Sequence, residues 1–327
     1  MNSLLTDAAA RSIRYLETLD ARSVAPTADA VAALRAFDEA LPQTSSDSAA
    51  VLRMLDEVGS PATTAMAGRR FFGFVIGGSL PVTLAANWLA GAWDQNAGLG
   101  KPTPSASYLE QVSLRWLLEL LRLPRECAGS FVTGATVANL CGLAAARHAV
   151  LKRAGWNVEA DGLFGAPPIT VVIGAEAHPS VTKSLGVLGL GRTRVVKVPV
   201  DAQGRMRVEL MPAIAGPTIV CAQLGNVNTG ACDDVAAICR RAKSAGAWVH
   251  VDGAFEHRVP RSGEPAEIRH RRARDKRSRA LAGQSQQLQQ PPQRNLFKIR
   301  RTRRRLTKAG ILIPRAREPV HRKGHRQ

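Results

Sequence analysis

Four short polar segments hold the residues of this sequence whose types could do chemistry. They are Thr133-Gly134-Ala135-Thr136, the loop around His178, the turn Gly225-Asn226-Val227-Asn228-Thr229-Gly230, and the segment Asp252-Gly253-Ala254. Small residues before a helix let backbone N–H groups approach an anion such as a phosphate. An imidazole offers a flat surface for stacking. A carboxylate that ends an apolar strand needs a partner, because burying it alone is costly.

Each segment taken alone also has a plainer structural interpretation. The small residues suit any tight turn, a single loop His such as His178 is often incidental, and the Asn226 turn needs only residues that tolerate turn conformations. Asp252 could simply cap a helix. Taken together and in this order, the segments match the needs of a phosphorylated pyridinium ring: an anion site, a stacking surface and a carboxylate that keeps the ring nitrogen protonated. They therefore predict one cofactor site.

Short apolar runs rich in Val and Ile predict the strands that position these segments. Their lack of strict alternation is typical of strands that are buried on both faces of a parallel sheet. The runs are 130–133, 169–173, 194–200, 218–223 and 248–251, and the helices predicted between them are 137–153, 179–188 and 233–245. The predicted fold class is α/β, with a mainly parallel sheet, flanking helices, and the ligand at the carboxyl ends of the strands.

The N-terminal part predicts helices. Residues 1–64 show helix-like apolar spacing with breaks near Pro26 and Pro42, and a further helix is predicted at 105–123. Residues 71–93 carry no charge, but they include Pro81 and four Gly. We expect a glycine-broken loop followed by a buried or interface helix there, and no membrane span.

Composition sets further limits on function. The five Cys form no CxxC pair and have no His cluster beside them, so we expect reduced thiols and no metal site. The N-terminus has no apolar run of the signal-peptide type, so we expect a cytoplasmic protein. Of the net charge of +19, residues 256–327 carry +17, with 22 Lys and Arg against 5 Asp and Glu.

The basic segment 256–327 differs from the rest of the chain. It contains charge blocks, a Gln/Pro patch and a single aromatic residue, Phe297, and we expect such a segment to be disordered. An alternative function is nucleic-acid binding through runs such as Arg300-Arg301-Thr302-Arg303-Arg304-Arg305, with steep salt dependence. The scarcity of aromatic residues for base stacking argues against specific nucleic-acid recognition.

The segments described above resemble those of a known family, the group II pyridoxal-phosphate (PLP) dependent amino-acid decarboxylases. The similar stretches are FVTGATVANLCGLAAARHAVLKRAG, AEAHPSVTKSLGVLGLG and QLGNVNTGACDDVAAICRRAKSAGAWVHVDGAF, and the resemblance covers residues 65–255, with 1–64 more loosely similar. It implies a fold type I large domain, a homodimer with sites at the subunit interface, PLP as cofactor and an amino acid as substrate.

The resemblance also assigns roles to residues. It places Ala135 and Thr136 at the phosphate, His178 on the ring face, Asp252 at the ring nitrogen and Ala254 against the ring. His178 and Asp252 would be the catalytic pair. The turn at Asn226 resembles a cofactor-binding turn but departs from the paired threonines of the animal enzymes. Other fold type I activities, such as those of aminotransferases or cysteine desulfurases, stay open as alternatives.

One expected feature of this family is missing. Its cofactor-bearing lysine lies in a His-Lys dipeptide after the aspartate, and the sequence contains no His-Lys. Lys183 follows His178 by five residues, where the resemblance places a lysine that is not the covalent one; Lys276, Lys298 and Lys308 lie in the basic segment without the flanking pattern.

We therefore expect a partial large domain at 65–255 and an out-of-frame segment at 256–327, in an inactive or severely impaired gene product. Translation of the other two reading frames after codon 255 should yield a His-Lys dipeptide followed by further family-like sequence. If neither frame does so, the frameshift hypothesis is wrong.

Overall fold

The computed structural model describes residues 2–76, 78–96 and 98–255. These residues form two compact units, divided in sequence between Asp94 and Gln95. The boundaries that the sequence predicts at 64/65 and 255/256 stay predictions. The basic segment 256–327, with its expected disorder and its lysines, lies outside the described residues.

The first unit is helical, as its apolar spacing predicts. Its helices are α1 (Asn2–Glu17), α2 (Ala28–Ala33), α3 (Ser48–Met54) and α4 (Pro81–Trp93). The side chains of Thr27 and Asp47 cap α2 and α3 by accepting hydrogen bonds from backbone N–H groups. Asp56, just after α3, pairs with Arg11 of α1 at 2.8 Å, which ties the first and third helices together.

The uncharged stretch 71–93 contains a loop and then a helix, as predicted. Helix α4 has 13 residues and is therefore about 20 Å long, whereas the apolar core of a bilayer is about 30 Å thick. No helix among the described residues is both long and apolar enough to cross a membrane. Within the described chain α4 contains no buried residue, and Trp88 and Trp93 are about half exposed.

The second unit is an α/β domain around a four-stranded parallel sheet. Its strands are β1 (Thr170–Gly174), β2 (Val195–Val198), β3 (Thr218–Gln223) and β4 (Trp248–Asp252), in the order β2-β1-β3-β4. Its helices are α5 (Pro104–Leu121), α6 (Ala135–Arg153), α7 (Val158–Asp161), α8 (Pro179–Val187) and α9 (Val235–Ser244). The predicted α/β class with a parallel sheet is confirmed.

Alternate residues of the strands pack into two core layers, one on each face of the sheet. Val171 and Ile219 face the layer that includes Leu143 of α6 and Leu185 of α8. Their neighbours in sequence face the opposite layer, which includes Ile238 of α9. Since successive side chains of a strand point to opposite faces, strands buried on both sides must be apolar throughout. This explains the unbroken Val and Ile runs.

One predicted strand is wrong. Residues 130–133 are not part of a strand, and Phe131 is 38% exposed. The apolar and β-branched character of this segment favours an extended backbone, but a strand also needs a neighbour to pair with. Among the described residues, no strand pairs with it.

Candidate functional site

The carboxyl ends of the parallel strands meet at one edge of the sheet, where the predicted site residues follow them. Gln223, the last residue of β3, is in register with Asp252, the last residue of β4. β1 ends at Gly174, and the loop from there leads to His178 at the start of α8. The backbone N–H of His178 donates to Oε1 of Gln223 at 3.0 Å. The segments around His178 and Asp252 are thus joined at the same sheet edge.

Asp252 is buried and held by two hydrogen bonds. Its Oδ1 accepts from the backbone N–H of Ala254 at 3.1 Å, and its Oδ2 accepts from Nδ2 of Asn139 at 3.0 Å. Only 7% of the residue is exposed. Both of these donors are neutral, so the negative charge of the carboxylate remains available to a cationic N–H group.

His178 lies at the N-cap of α8 and is exposed. Its Nδ1 accepts a hydrogen bond from the backbone N–H of Ser180 at 3.2 Å and lies 2.7 Å from the Ser180 hydroxyl. These two contacts fix the imidazole against the first turn of the helix. Its ring is therefore oriented by the chain itself and is accessible at the sheet edge.

Asn139 connects the two predicted catalytic residues. Its Nδ2 donates to Asp252 and also to the hydroxyl of Ser180 at 3.0 Å, and its Oδ1 lies 2.7 Å from Nε2 of His250. Asn139, Ser180 and His250 are all buried. His178 and Asp252 are therefore the two ends of one hydrogen-bonded network.

The predicted phosphate turn lies at the start of α6. Ala135 is the first residue of this helix and Thr136 is exposed. The backbone carbonyl of Thr136 accepts a hydrogen bond from the hydroxyl of Ser184 at 3.1 Å. Because residues three apart share a helix face, Thr136 and Asn139 point to the same side of α6. The turn and the network around Asn139 are therefore adjacent.

Asn226 is the one predicted site residue whose side chain is fully enclosed. It is 1% exposed, its Oδ1 accepts from the backbone N–H of Asn228 at 2.9 Å, and its Nδ2 donates to Oε2 of Glu176 at 2.9 Å. It therefore holds its own turn against the loop that precedes His178. A direct contact of Asn226 with a cofactor stays a prediction, as do the roles of Ala135, Thr136 and Ala254.

Gly204 lies directly against the hydrogen-bonded pair formed by Asn226 and Glu176. Its φ is +76°, and a Cβ at this position would lie 2.4 Å from Nδ2 of Asn226 and 2.5 Å from Oε2 of Glu176. Because Asn226 is buried on all sides, it cannot move away. The position therefore requires glycine for its conformation and for its size.

Replacement of this glycine should be costly. We expect Gly204→Ala to lower the free energy of unfolding by about 2–4 kcal/mol, as the sum of left-handed backbone strain and overpacking. The matched control is Gly216→Ala, since Gly216 has φ +63° and open space around its Cβ position; it should cost only the backbone strain, about 1–2 kcal/mol. Urea denaturation measures both, and equal losses would contradict the steric role of Gly204.

Burial controls protonation in the layer beneath the site. It lowers the pKa of His250 to about 4, although the negative charge of Asp252 acts in the opposite direction. Burial, with a further contribution from Asp252, raises the pKa of the neighbouring Cys221 thiol to about 12. At neutral pH His250 is therefore an uncharged imidazole and Cys221 is an unreactive thiol. Burial also raises the pKa of Asp233, whose carboxylate accepts two backbone N–H groups.

The low pKa of His250 predicts acid sensitivity. In the unfolded chain a histidine titrates near 6.5, so between pH 6.5 and 4 the unfolded state binds more protons than the folded state. The stabilisation is present above pH 6.5 and is lost as the pH falls towards 4, by about 3 kcal/mol if His250 acts alone. The measurement is the free energy of unfolding in urea at several pH values.

His250→Gln isolates this contribution. The amide of glutamine can still donate to Asn139 but does not titrate, so the variant should lose less stability on acidification than the wild type. Asp233 has a raised pKa and acts with the opposite sign in both proteins, and it therefore cancels in the comparison. Identical pH slopes for the two proteins would show that His250 is not the group responsible.

Sequence reasoning missed three residues of the network: Asn139, Ser180 and His250. The signal for His250 was present, because it stands two residues before Asp252 on one strand and must share its face. The signal for Asn139 was weaker, since it is a polar residue in the first turns of a helix that is otherwise rich in Ala and Leu. Its partners become visible only when α6 is placed on the sheet.

The fold is that of known PLP-binding decarboxylase structures. The mouse CSAD structure superimposes with a TM-score of 0.71 at 23% identity, covering 78% of this chain and 55% of that one. The structure of Oryza sativa TDC with PLP and tryptamine gives a TM-score of 0.68 at 24% identity, covering 78% of this chain and 56% of that one. These similarities define the fold class.

Sequence comparison then identifies the family. The pyridoxal-dependent decarboxylase conserved domain matches residues 32–257, and the chain belongs to this family. Tryptophan decarboxylase 1 of Oryza sativa subsp. japonica is 30% identical over 216 residues, which are 60% of this chain and 41% of that protein. The L-2,4-diaminobutyrate decarboxylase of Rhizobium meliloti (strain 1021) is 31% identical over 180 residues, which are 53% of this chain and 34% of that protein. The chain thus spans less than half of the length of these two relatives.

Proposed function

We propose that the protein is a PLP-dependent amino-acid decarboxylase whose cofactor is held at the carboxyl edge of the sheet. The observation that carries the proposal is the buried Asp252 carboxylate, which two neutral donors orient and which lies in one network with His178. A negative acceptor of this kind suits the protonated nitrogen of a pyridine ring. Membership of the decarboxylase family favours this activity over those of an aminotransferase or a cysteine desulfurase.

Each end of the cofactor has a candidate partner. The N-terminus of α6, with Ala135 and Thr136, would bind the phosphate through free backbone N–H groups and the Thr136 hydroxyl. His178 would cover one face of the ring, and Ala254 would lie near it. Asp252 would keep the proton on the ring nitrogen. When bound, PLP supplies an electron sink for the electron pair that remains when carbon dioxide leaves the substrate.

The chain lacks the lysine that would be expected to attach PLP covalently. The family resemblance places the attaching lysine in a His-Lys dipeptide, and the 327-residue sequence contains none. Lys183, on α8, is the lysine nearest in sequence to His178. We infer that this chain by itself holds PLP non-covalently and turns over very slowly, because a lysine nucleophile is needed for rapid exchange with the substrate amine.

The substrate, the assembly and the location of the protein are part of the same proposal. We propose an amino-acid substrate, a homodimer as the functional assembly and a cytoplasmic location. The relatives include decarboxylases named for tryptophan and for L-2,4-diaminobutyrate, so a substrate panel is needed to define the class of amino acid. Nucleic-acid binding would rest on residues outside the described part of the chain, and no feature of the described residues favours it.

PLP binding tests the proposal directly. Titration of the chain with PLP, followed by equilibrium dialysis, should show saturable binding that Asp252→Asn weakens about 10- to 100-fold, because the variant loses a charge-assisted hydrogen bond. The matched control is Asp161→Asn, which removes the same charge from an exposed position at the end of α7 and should leave the affinity unchanged.

Two results would contradict the proposal. One is the absence of saturable PLP binding by the wild-type chain with circular dichroism showing it folded. The other is an equal effect of Asp252→Asn and Asp161→Asn. For a frame-corrected protein, release of carbon dioxide from a panel of amino acids, as against formation of keto acids, then separates a decarboxylase from an aminotransferase.

A further inference from the structure

We propose that Asn139 is the positioning residue of the cofactor site, and that its single amide group sets the orientation of Asp252 and directs the hydroxyl of Ser180 towards His178. The inference rests on the proposed function, since it concerns the two residues assigned to the cofactor ring. Asn139 itself is 3% exposed and lies beneath the site. It would act through its neighbours without touching the ring.

The direction of the amide follows from the chemistry of its partners. An ionised carboxylate can only accept hydrogen bonds, so the NH2 group of Asn139 must face Oδ2 of Asp252, at 3.0 Å. The second proton of this NH2 group points to the hydroxyl oxygen of Ser180, also at 3.0 Å. Oδ1 then faces His250, which must donate to it. The charge of Asp252 therefore fixes the orientation of the whole Asn139 amide group.

The orientation of the Asn139 amide also affects a hydrogen bond of His178. Because the Ser180 oxygen accepts from Asn139, the Ser180 proton is free to point to Nδ1 of His178, 2.7 Å away. The backbone N–H of Ser180 donates to the same nitrogen. Nδ1 of His178 is therefore an acceptor, and the proton of the neutral ring lies on Nε2. The imidazole is therefore fixed in orientation and in tautomer by the backbone N–H of Ser180 together with the Ser180 hydroxyl, and Asn139 directs that hydroxyl.

His250 closes the network on its other side. Burial keeps this imidazole neutral, with a pKa of about 4, so it carries one proton and places it on Nε2 to reach Oδ1 of Asn139 at 2.7 Å. The titratable groups nearest to it are Asp252 on its own strand and Cys221, its register partner on β3. The thiol is uncharged, since its pKa is about 12. The amide thus has a partner on each of three sides, and a buried network in which every member is satisfied resists rotation.

The decisive experiment compares PLP with its analogue in which C–H replaces the ring nitrogen. The wild-type chain should prefer PLP, because only PLP presents a charged N–H to Asp252. Asn139→Leu removes all three hydrogen bonds and keeps the number and branching of the side-chain heavy atoms, and we expect it to reduce that preference about 10-fold or more, towards equal binding. A merely structural loss would weaken both ligands to the same extent and leave their ratio unchanged.

Thr218→Val provides the matched control. Thr218 is 1% exposed and its hydroxyl donates to the carbonyls of Ala215 and Gly216 at the opposite end of β3. The variant therefore loses a buried polar group of the same sheet, far along the strand from Asp252. It should preserve the ratio of the two affinities. An unchanged ratio in Asn139→Leu would overturn the inference and leave the proposed function intact.

A second measurement keeps the test independent of PLP binding and of the folding of Asn139→Leu. The inferred amide direction requires the single proton of the neutral His250 ring to lie on Nε2, where it can reach Oδ1 of Asn139. Nitrogen NMR of the wild-type chain without cofactor, at neutral pH, identifies the protonated ring nitrogen. A proton on Nε2 supports the network even if the wild-type chain fails to bind PLP, which would overturn only the proposed function. A proton on Nδ1 would require the amide to face the other way and would overturn the inference.

Discussion

The hydrogen bond between Asn139 and Asp252 is the interaction on which the arrangement of the α/β unit around the site depends. A carboxylate that is 7% exposed needs donors close by, because its water has been removed. One donor comes from its own strand end, at Ala254, and the other comes from a helix that begins more than a hundred residues earlier. The sheet, the start of α6 and the first turn of α8 must therefore assemble together before the site exists.

Two geometric rules bring these parts together. Side chains alternate along β4, so His250 and Asp252 share the face that α6 covers, and both reach the same amide. Residues three apart lie together on a helix, so Thr136 and Asn139 point to the same region. A turn suited to an anion and a carboxylate suited to a cation are thus held by a single helical turn. This arrangement supports the assignment of a ligand with charges of opposite sign at its two ends.

Much of this architecture could be predicted from the sequence, because it depends on local patterns. Continuous Val and Ile runs indicate strands such as β1 and β3, and Asp252 was identified because an acid at the end of such a run is unusual. Pairing is not local, and it explains what could not be predicted. Residues 130–133 have the composition of a strand but no strand partner among the described residues. In the sequence, Asn139 is an ordinary polar residue of a predicted helix. Its role depends on contacts with residues 180, 250 and 252, which are distant in sequence.

The position of Asn139 within α6 also limits how the gene can vary. Each residue turns a helix by about 100°, so one codon inserted or deleted between Gly134 and Asn139 would rotate the amide away from both Ser180 and Asp252. The loop between α7 and β1 has no comparable requirement, since a change of length there leaves the phase of α6 untouched. Among descendants of this chain, length variation should therefore accumulate after α7 and be absent from the first turn of α6.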